Sequence, residues 1–369
     1  MTFIEEVEAT LIPGVAVFVL AALLAMLLTP LVRRTVVRHG IVDRPEARRV
    51  NKRTVGRAGG LAIAGSFLAV AAGFVLANER ASWLPIPPNL QANELVALFV
   101  GGAAAASIGA LDDLLDLRAR WQLLGQVALA LLAVALGIGI TVVNNPFGAG
   151  VIRFSEPFSV GFTVFWIIGM INSINWIDGL DGLSSGIALI ASVTLGLISL
   201  TTQVSQPLIA VLCFALAGSL AGFLRWNFHP AKIFSGTSGV QFVGFTLAVL
   251  AILGQAKVAV ALLVLGVPII DTFWIIVGRL LRGGSPFAPD RSHIHHRLLD
   301  LGLSHRNTVL LIYGICGALG VLAMLVSEVT QLYAFLGVFI VSGLILFGPT
   351  RGAFRRPEEL EAESYETDR

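Results

Sequence analysis

The stretch Asn172-Ser-Ile-Asn175-Trp-Ile-Asp178-Gly-Leu-Asp181-Gly-Leu183 closes an apolar run that begins near residue 158. Two carboxylates and two carboxamides fall within ten residues there. If the run crosses a membrane, these groups sit at its mouth. Ionisable side chains are costly in that setting and normally serve a substrate, an ion or a proton. Composition decides the condition. The 369 residues are 56% hydrophobic and only 13% charged, against about 25% charged in a soluble domain. Such a chain cannot cover its surface with charge, so the bilayer must be its solvent.

Apolar runs near the ~20-residue length of a bilayer core fall at 11–32, 58–77, 93–111, 121–141, 158–174, 183–201, 206–225, 238–255, 258–278, 307–327 and 329–349. They predict an all-α polytopic membrane protein with about eleven transmembrane helices. The run at 158–174 is short and that at 238–255 is rich in small residues, so each is a candidate for a tilted or partly re-entrant segment. Glu5, Glu6 and Glu8 stand where a signal peptide would be basic, which reads as a retained first helix. The odd-numbered connections and the C-terminal tail hold all of the Lys and Arg except Arg80, Arg153 and Lys257. The positive-inside rule therefore puts the N-terminus outside, the C-terminus in the cytoplasm and the acidic clusters on the cytoplasmic face of the plasma membrane. Residues 1–350 read as a single transmembrane domain and 351–369 as a polar, disordered tail. Cys213 and Cys316 lie inside apolar runs and read as small hydrophobes, not a disulfide. No nucleic-acid partner is expected.

Asp112, Asp113 and Asp116 end another apolar run. Spacings of three and four put Asp116 on one helix face with each of the others. Alone, this triplet fits a solvated helix end as well as it fits a site. Asp178 and Asp181 are three apart, and Gly179 and Gly182 let the backbone approach a ligand. Magnesium takes one or two carboxylates plus phosphate oxygens and water. A turn with Asp as turn former is the plainer reading; Asn172 and Asn175 just before it favour a site. Gly236-Thr-Ser-Gly239 opens the eighth run, either as an ordinary N-cap or as a set of N–H groups for an anion. Asp290-Arg-Ser-His293-Ile-His295-His296-Arg297 lacks the i, i+4 spacing of helical zinc sites. Its flanking Arg residues favour a phosphate or sugar clamp over a basic loop on anionic lipid. His39, His305 and the basic first loop read as the positive-inside signal and lipid surface. The residues by themselves support metal-dependent phosphate chemistry facing the cytoplasm.

In order along the chain, Asp43-Arg-Pro with Arg57-Ala-Gly-Gly60, Leu111-Asp-Asp113 with Asp116, Asn172 through Leu183, Asn227-Phe-His-Pro-Ala-Lys-Ile-Phe234 and Arg291-Ser-His-Ile-His-His296 resemble the polyprenyl-phosphate N-acetylhexosamine-1-phosphate transferases. The resemblance covers roughly residues 40–300. It implies transfer of a sugar-1-phosphate from a UDP-amino sugar to a polyprenyl phosphate, usually undecaprenyl phosphate, with release of UMP. Arg-x-His-x-His-His resembles the branch that uses UDP-N-acetylglucosamine. The activity implied is the first membrane step of a cell-envelope glycan such as lipopolysaccharide or teichoic acid.

Carried over residue by residue, the resemblance makes Asp112 and Asp113 the catalytic carboxylates. It puts Asn175, Asp178 and position 237 at the magnesium ion, for which manganese is a substitute. Asn172, Asp181, Asn227, Phe234, Arg291, His293, His295 and His296 are left for the nucleotide and sugar. Many members read Met-Gly-Asp-x-Gly-Ser after the Phe, whereas this chain has Ser235-Gly-Thr237-Ser-Gly-Val240. Thr237 thus stands where the family has a metal-binding Asp. The alternatives are a phospho-MurNAc-pentapeptide transferase-like enzyme and an ion-coupled transporter. A transporter would place its polar groups near the midplane and show repeats, and neither is visible. A homodimer is an open possibility.

Overall fold

The computed structural model describes residues 3–43, 54–87, 90–145, 147–148, 150–201, 205–254, 258–281, 293–326 and 328–347. The helices are α1 (Phe3–Arg38), α2 (Gly60–Ala81), α3 (Ala92–Leu115), α4 (Ala119–Ala135), α5 (Glu156–Ile177), α6 (Leu183–Ser199), α7 (Pro207–Asn227), α8 (Gly236–Leu253), α9 (Val258–Val264), α10 (Gly266–Leu281), α11 (Ile294–Asp300), α12 (His305–Leu325) and α13 (Glu328–Phe347). Seven of them, α1, α2, α3, α5, α7, α8 and α12, are long and apolar enough to cross a membrane; α4, α6 and α13 are apolar but shorter. The tail at 351–369 lies outside the described residues, as does Arg291.

Three local departures from the sequence reading have physical causes. The ninth run is two helices, because Pro268 lacks an N–H and its ring crowds the carbonyl four residues back, at Val264, where α9 stops. The fourth run stays helical only to Ala135, ending with Gly137 at φ +101. Beyond it the β-branched residues join a hairpin, β3 (Val142–Asn144) with β4 (Val151–Arg153). A second hairpin pairs β1 (Val42–Asp43) with β2 (Val55–Gly56), so the helical fold carries two small sheets. The fifth run, short by hydropathy, extends to the 22 residues of α5.

α7 and α8 form the centre of the bundle and bury most of their surface inside it. α1 lies along α7, while α3 and α5 flank α8. Without a hydrophobic force between helices in lipid, such packing depends on small residues that let backbones approach. On α7, Gly218 and Gly222 are one turn apart. A Cβ on either would lie 2.1 Å from a carbonyl oxygen of α1, that of Phe18 or Ala22 respectively. Ala21 and Ala25 complete that contact and are fully buried. Cys213 and Cys316 are buried, and no disulfide joins them.

Gly218→Val is expected to destabilise the protein by about 1–3 kcal/mol, because the rigid carbonyl of Phe18 leaves no room for a side chain. Thermal unfolding in detergent reads this out, against Gly337→Ala as a control, where an added Cβ meets nothing within 4 Å. Equal unfolding temperatures for the two variants would show that the α1–α7 contact is not tight.

Candidate active site

The polar segments meet at one end of the bundle, around the first turn of α8. Asp113, at the end of α3, is buried. Its Oδ1 accepts the Thr237 N–H at 2.8 Å and its Oδ2 accepts the Ser238 N–H at 3.0 Å. Arg57 Nε lies 3.6 Å from Asp113 Oδ1, and the same guanidinium lies 3.8 Å from the exposed Asp116. Asp178 follows the last turn of α5. Its Oδ2 accepts the Ser235 hydroxyl at 2.6 Å, and its Oδ1 accepts the Ser184 hydroxyl. The start of α8 is therefore held between two carboxylates, one from α3 and one from α5.

Close backbone contact makes this convergence possible. Gly236 adopts φ +68, and a Cβ there would be 2.5 Å from Asp113 Oδ2. The segment before α2 docks on the same turn: Gly59 N donates to Phe234 O and Gly60 N to Ser235 O, each at 2.8 Å. Arg57 is delivered to Asp113 by that strand-like segment.

Asp112, also buried, has a different environment. Its Oδ1 accepts the Leu117 N–H at 3.0 Å and the Gln122 amide at 2.9 Å. Its Oδ2 receives no hydrogen bond from the described residues. Asn175 is half-buried, and its carbonyl accepts the Asp178 N–H at 3.3 Å. Asn172 donates to Gln126 at 2.7 Å and so ties α5 to α4. Asn227 is buried; it donates to Ile233 O at 3.0 Å and accepts the Ser185 hydroxyl at 3.1 Å, bracing the loop that leads to α8. Phe234 is half-buried and is fixed by its backbone to Gly56 and Gly59.

Asp181 faces two histidines. Its Oδ2 pairs with His229 Nδ1 at 2.8 Å and accepts the Ala231 N–H at 3.0 Å. The His305 ring stacks on His229 at 4.1 Å. One ligand atom from each of Asp181, His229 and His305 lies within 4.8 Å of the others, so these three side chains could hold a metal ion. Two imidazoles and a carboxylate suit manganese or zinc better than magnesium. Asp178, Asn175 and Thr237 offer oxygen donors only, the harder type that magnesium takes. Burial pushes the Asp178 carboxyl up from its ordinary range; its two hydroxyl donors oppose this, and the charges of Asp113 and Asp181 add to it. A divalent cation beside it would offset that burden.

From the His loop, His295 packs against Gly179 in the Asp178–Asp181 turn. His295 is buried, and neither ring nitrogen has a hydrogen-bond partner among the described residues. A Cβ on Gly179 would fall 2.2 Å from its Nε2, so only glycine fits above it. Burial, with neighbouring His296 and His293, holds the His295 pKa down to about 2, and the ring stays neutral. His293 stacks on His295 with centroids 5.5 Å apart. His229, His305 and Asp271 were not singled out by the sequence as site residues, although Asp271 is an acid within an apolar run, which is a signal in itself.

Residues 95–255 match the family model described as glycosyl transferase family 4. The chain is 35% identical to the probable undecaprenyl-phosphate N-acetylglucosaminyl 1-phosphate transferase of Bacillus subtilis, covering 90% of this chain and 89% of that protein. It is 33% identical to the decaprenyl-phosphate N-acetylglucosaminephosphotransferase of Mycolicibacterium smegmatis, over 88% and 86% of the two chains. A Yersinia pestis undecaprenyl-phosphate alpha-N-acetylglucosaminyl 1-phosphate transferase shares 28% identity over 84% of this chain and 85% of its own. The chain belongs to the polyprenyl-phosphate N-acetylglucosamine-1-phosphate transferase branch of glycosyl transferase family 4.

Asp113→Ala removes the acceptor for two N–H groups at the start of a buried helix. A loss on the order of 2–4 kcal/mol is expected, read as a lower unfolding temperature in detergent. Asp116→Ala, whose side chain is 94% exposed, is expected to stay within about 0.5 kcal/mol of wild type. An Asp113→Ala protein as stable as wild type would remove Asp113 from its anchoring role.

Proposed function

We propose that this protein transfers N-acetylglucosamine-1-phosphate from UDP-N-acetylglucosamine to undecaprenyl phosphate, releasing UMP, at the cytoplasmic face of the plasma membrane. The carrying observation is the pair of carboxylates, Asp113 and Asp178, that converge on the first turn of α8. Membership of the transferase branch and the names of the relatives support the donor and the lipid. The partition of Lys and Arg supports about eleven spans, an outer N-terminus and a cytoplasmic C-terminus. Residues 1–350 act as one catalytic domain in this reading.

In the reaction, a lipid phosphate oxygen replaces UMP on the sugar-linked phosphorus, and the phosphoanhydride bond to UMP breaks. Such transfer relies on positioning and electrostatic stabilisation. Asp112 is the carboxylate placed to take a proton from the lipid phosphate, because its Oδ2 receives no hydrogen bond from the described residues while both oxygens of Asp113 hold α8. Asp178, Asn175 and Thr237 would hold magnesium or manganese, which neutralises diphosphate charge when bound. Asp181 and Phe234 contact the nucleotide, with Asn172 and Asn227 shaping the walls around it through their bonds to Gln126 and Ile233. Arg291, His293, His295 and His296 form the phosphate and sugar side.

Purified protein with undecaprenyl phosphate, magnesium and a panel of UDP-sugars is expected to release UMP and form a lipid-linked product with UDP-N-acetylglucosamine. Product from another UDP-sugar alone would replace the donor, and none from any would overturn the reading. In the same assay Asp112→Asn should lower kcat at least 100-fold, the scale of a lost general base. Wild-type turnover would exclude it.

Thr237→Asp restores a charged ligand and should lower the magnesium concentration needed for half-maximal rate. An identical titration would place Thr237 away from the metal.

A further inference from the structure

Asp271 lies in α10, five residues after its start, among apolar neighbours. The side chain is only 11% exposed, and both oxygens are used. Oδ2 pairs with His293 Nδ1 at 2.7 Å, and Oδ1 accepts the Ile294 N–H at 2.9 Å. One carboxylate therefore holds both a ring and the first helical N–H of α11. We propose that Asp271 is a positioning residue for donor binding, fixing the tautomer and depth of His293 beneath the phosphate and sugar side of the site. The proposal rests on the reading of the His loop as a donor clamp.

Three observations carry it. First, the pairing selects which nitrogen of His293 faces away. With Nδ1–H donating to the carboxylate, Nε2 is left for a ligand, as when a carboxylate orients a metal-ligating His. Second, the position of Asp271 sets depth. Arg279, near the end of α10, lies 5.9 Å from the ring centroid of Trp176, beside Asn175 and Asp178. Asp271 is eight residues earlier, about 12 Å along the helix axis. His293 and Ile294 therefore lie alongside α10 rather than beyond its end. Third, His293 stacks on His295, which is packed against Gly179 in the Asp178–Asp181 turn. Position imposed at Asp271 thus passes through two stacked rings to the turn that carries Asp178 and Asp181. An acid costs much in this apolar helix, and its two bonds to the His loop are its compensation.

The test uses the full chain, labelled with 15N-histidine, in detergent. His293→Gln assigns the ring signal. Wild type is expected to show His293 as the Nδ1–H tautomer, and Asp271→Ala to shift its ring nitrogens towards a mixed state. Asp271→Leu, which suits an apolar helix, repeats the measurement should the alanine variant unfold. In the transferase assay either variant should raise KM for UDP-N-acetylglucosamine about 10-fold, the lower range for loss of a residue that orients a ligating His, and leave KM for the lipid unchanged. Combined with His293→Gln, the substitution should add nothing further. Unchanged His293 signals, equal shifts in both KM values, or fully multiplicative effects would each overturn the proposal. If His293→Gln leaves the donor KM untouched, the clamp reading fails instead, and the ring signal alone decides whether Asp271 orients His293.

Discussion

The first turn of α8, held between Asp113 and Asp178, is the constraint on which the site depends. A helix beginning inside a membrane protein has N–H groups with no intrahelical partner, and no water of the bilayer core to satisfy them. Asp113 satisfies two of them with one side chain from α3, and Asp178 takes the hydroxyl of Ser235 from the side of α5. The positive end of the helix dipole favours negative charge at that place. Backbone satisfaction and the gathering of acidic groups are therefore one event. α3 and α5 cannot deliver their carboxylates without also fixing where α8 begins.

This explains how a chain with Thr at position 237 retains an acidic floor. The charge that a side chain within α8 would supply comes instead from neighbouring helices. The cost is steric, and it falls on backbone at glycine. A Cβ on Gly109 of α3 would lie 2.5 Å from Thr237 O, and one on Gly60 would lie 2.0 Å from Gly239 of α8. The glycines of the Arg57-Ala-Gly-Gly60 segment are thus the means by which Arg57 reaches Asp113.

The sequence was readable where the signal is local. Apolar runs marked the helices, and carboxylates at their ends marked the polar cluster around α8, because both lie within a window of about one span. Pairings across the chain were not readable. Asp271 and His293 are far apart in sequence, and neither residue announces the other. His305 looked like part of a basic surface, yet it opens α12 and stacks on His229, itself paired with Asp181. The fourth apolar run was read through to residue 141 because hydropathy does not distinguish Ile138 and Ile140 in the extended lead into β3 from the same residues in a helix; Gly137 was the local mark of the boundary.

The charge pattern also indicates why a bare diphosphate could not settle here unaided. Asp112, Asp113, Asp116, Asp178 and Asp181 gather around one helix turn and its adjoining loops, with Arg57 beside two of them. His295, packed against the Asp178–Asp181 turn, is neutral and contributes no charge. At separations of a few ångströms and reduced dielectric, like charges repel by several kcal/mol. A doubly negative donor and a phosphate acceptor would face that repulsion together. In the proposed reading, a divalent cation on the oxygen donors of Asp178 would convert the acidic floor from a barrier into a seat. In the same reading, the His loop, held by Asp271 through His293 and Ile294, would meet the donor without adding a buried charge at His295.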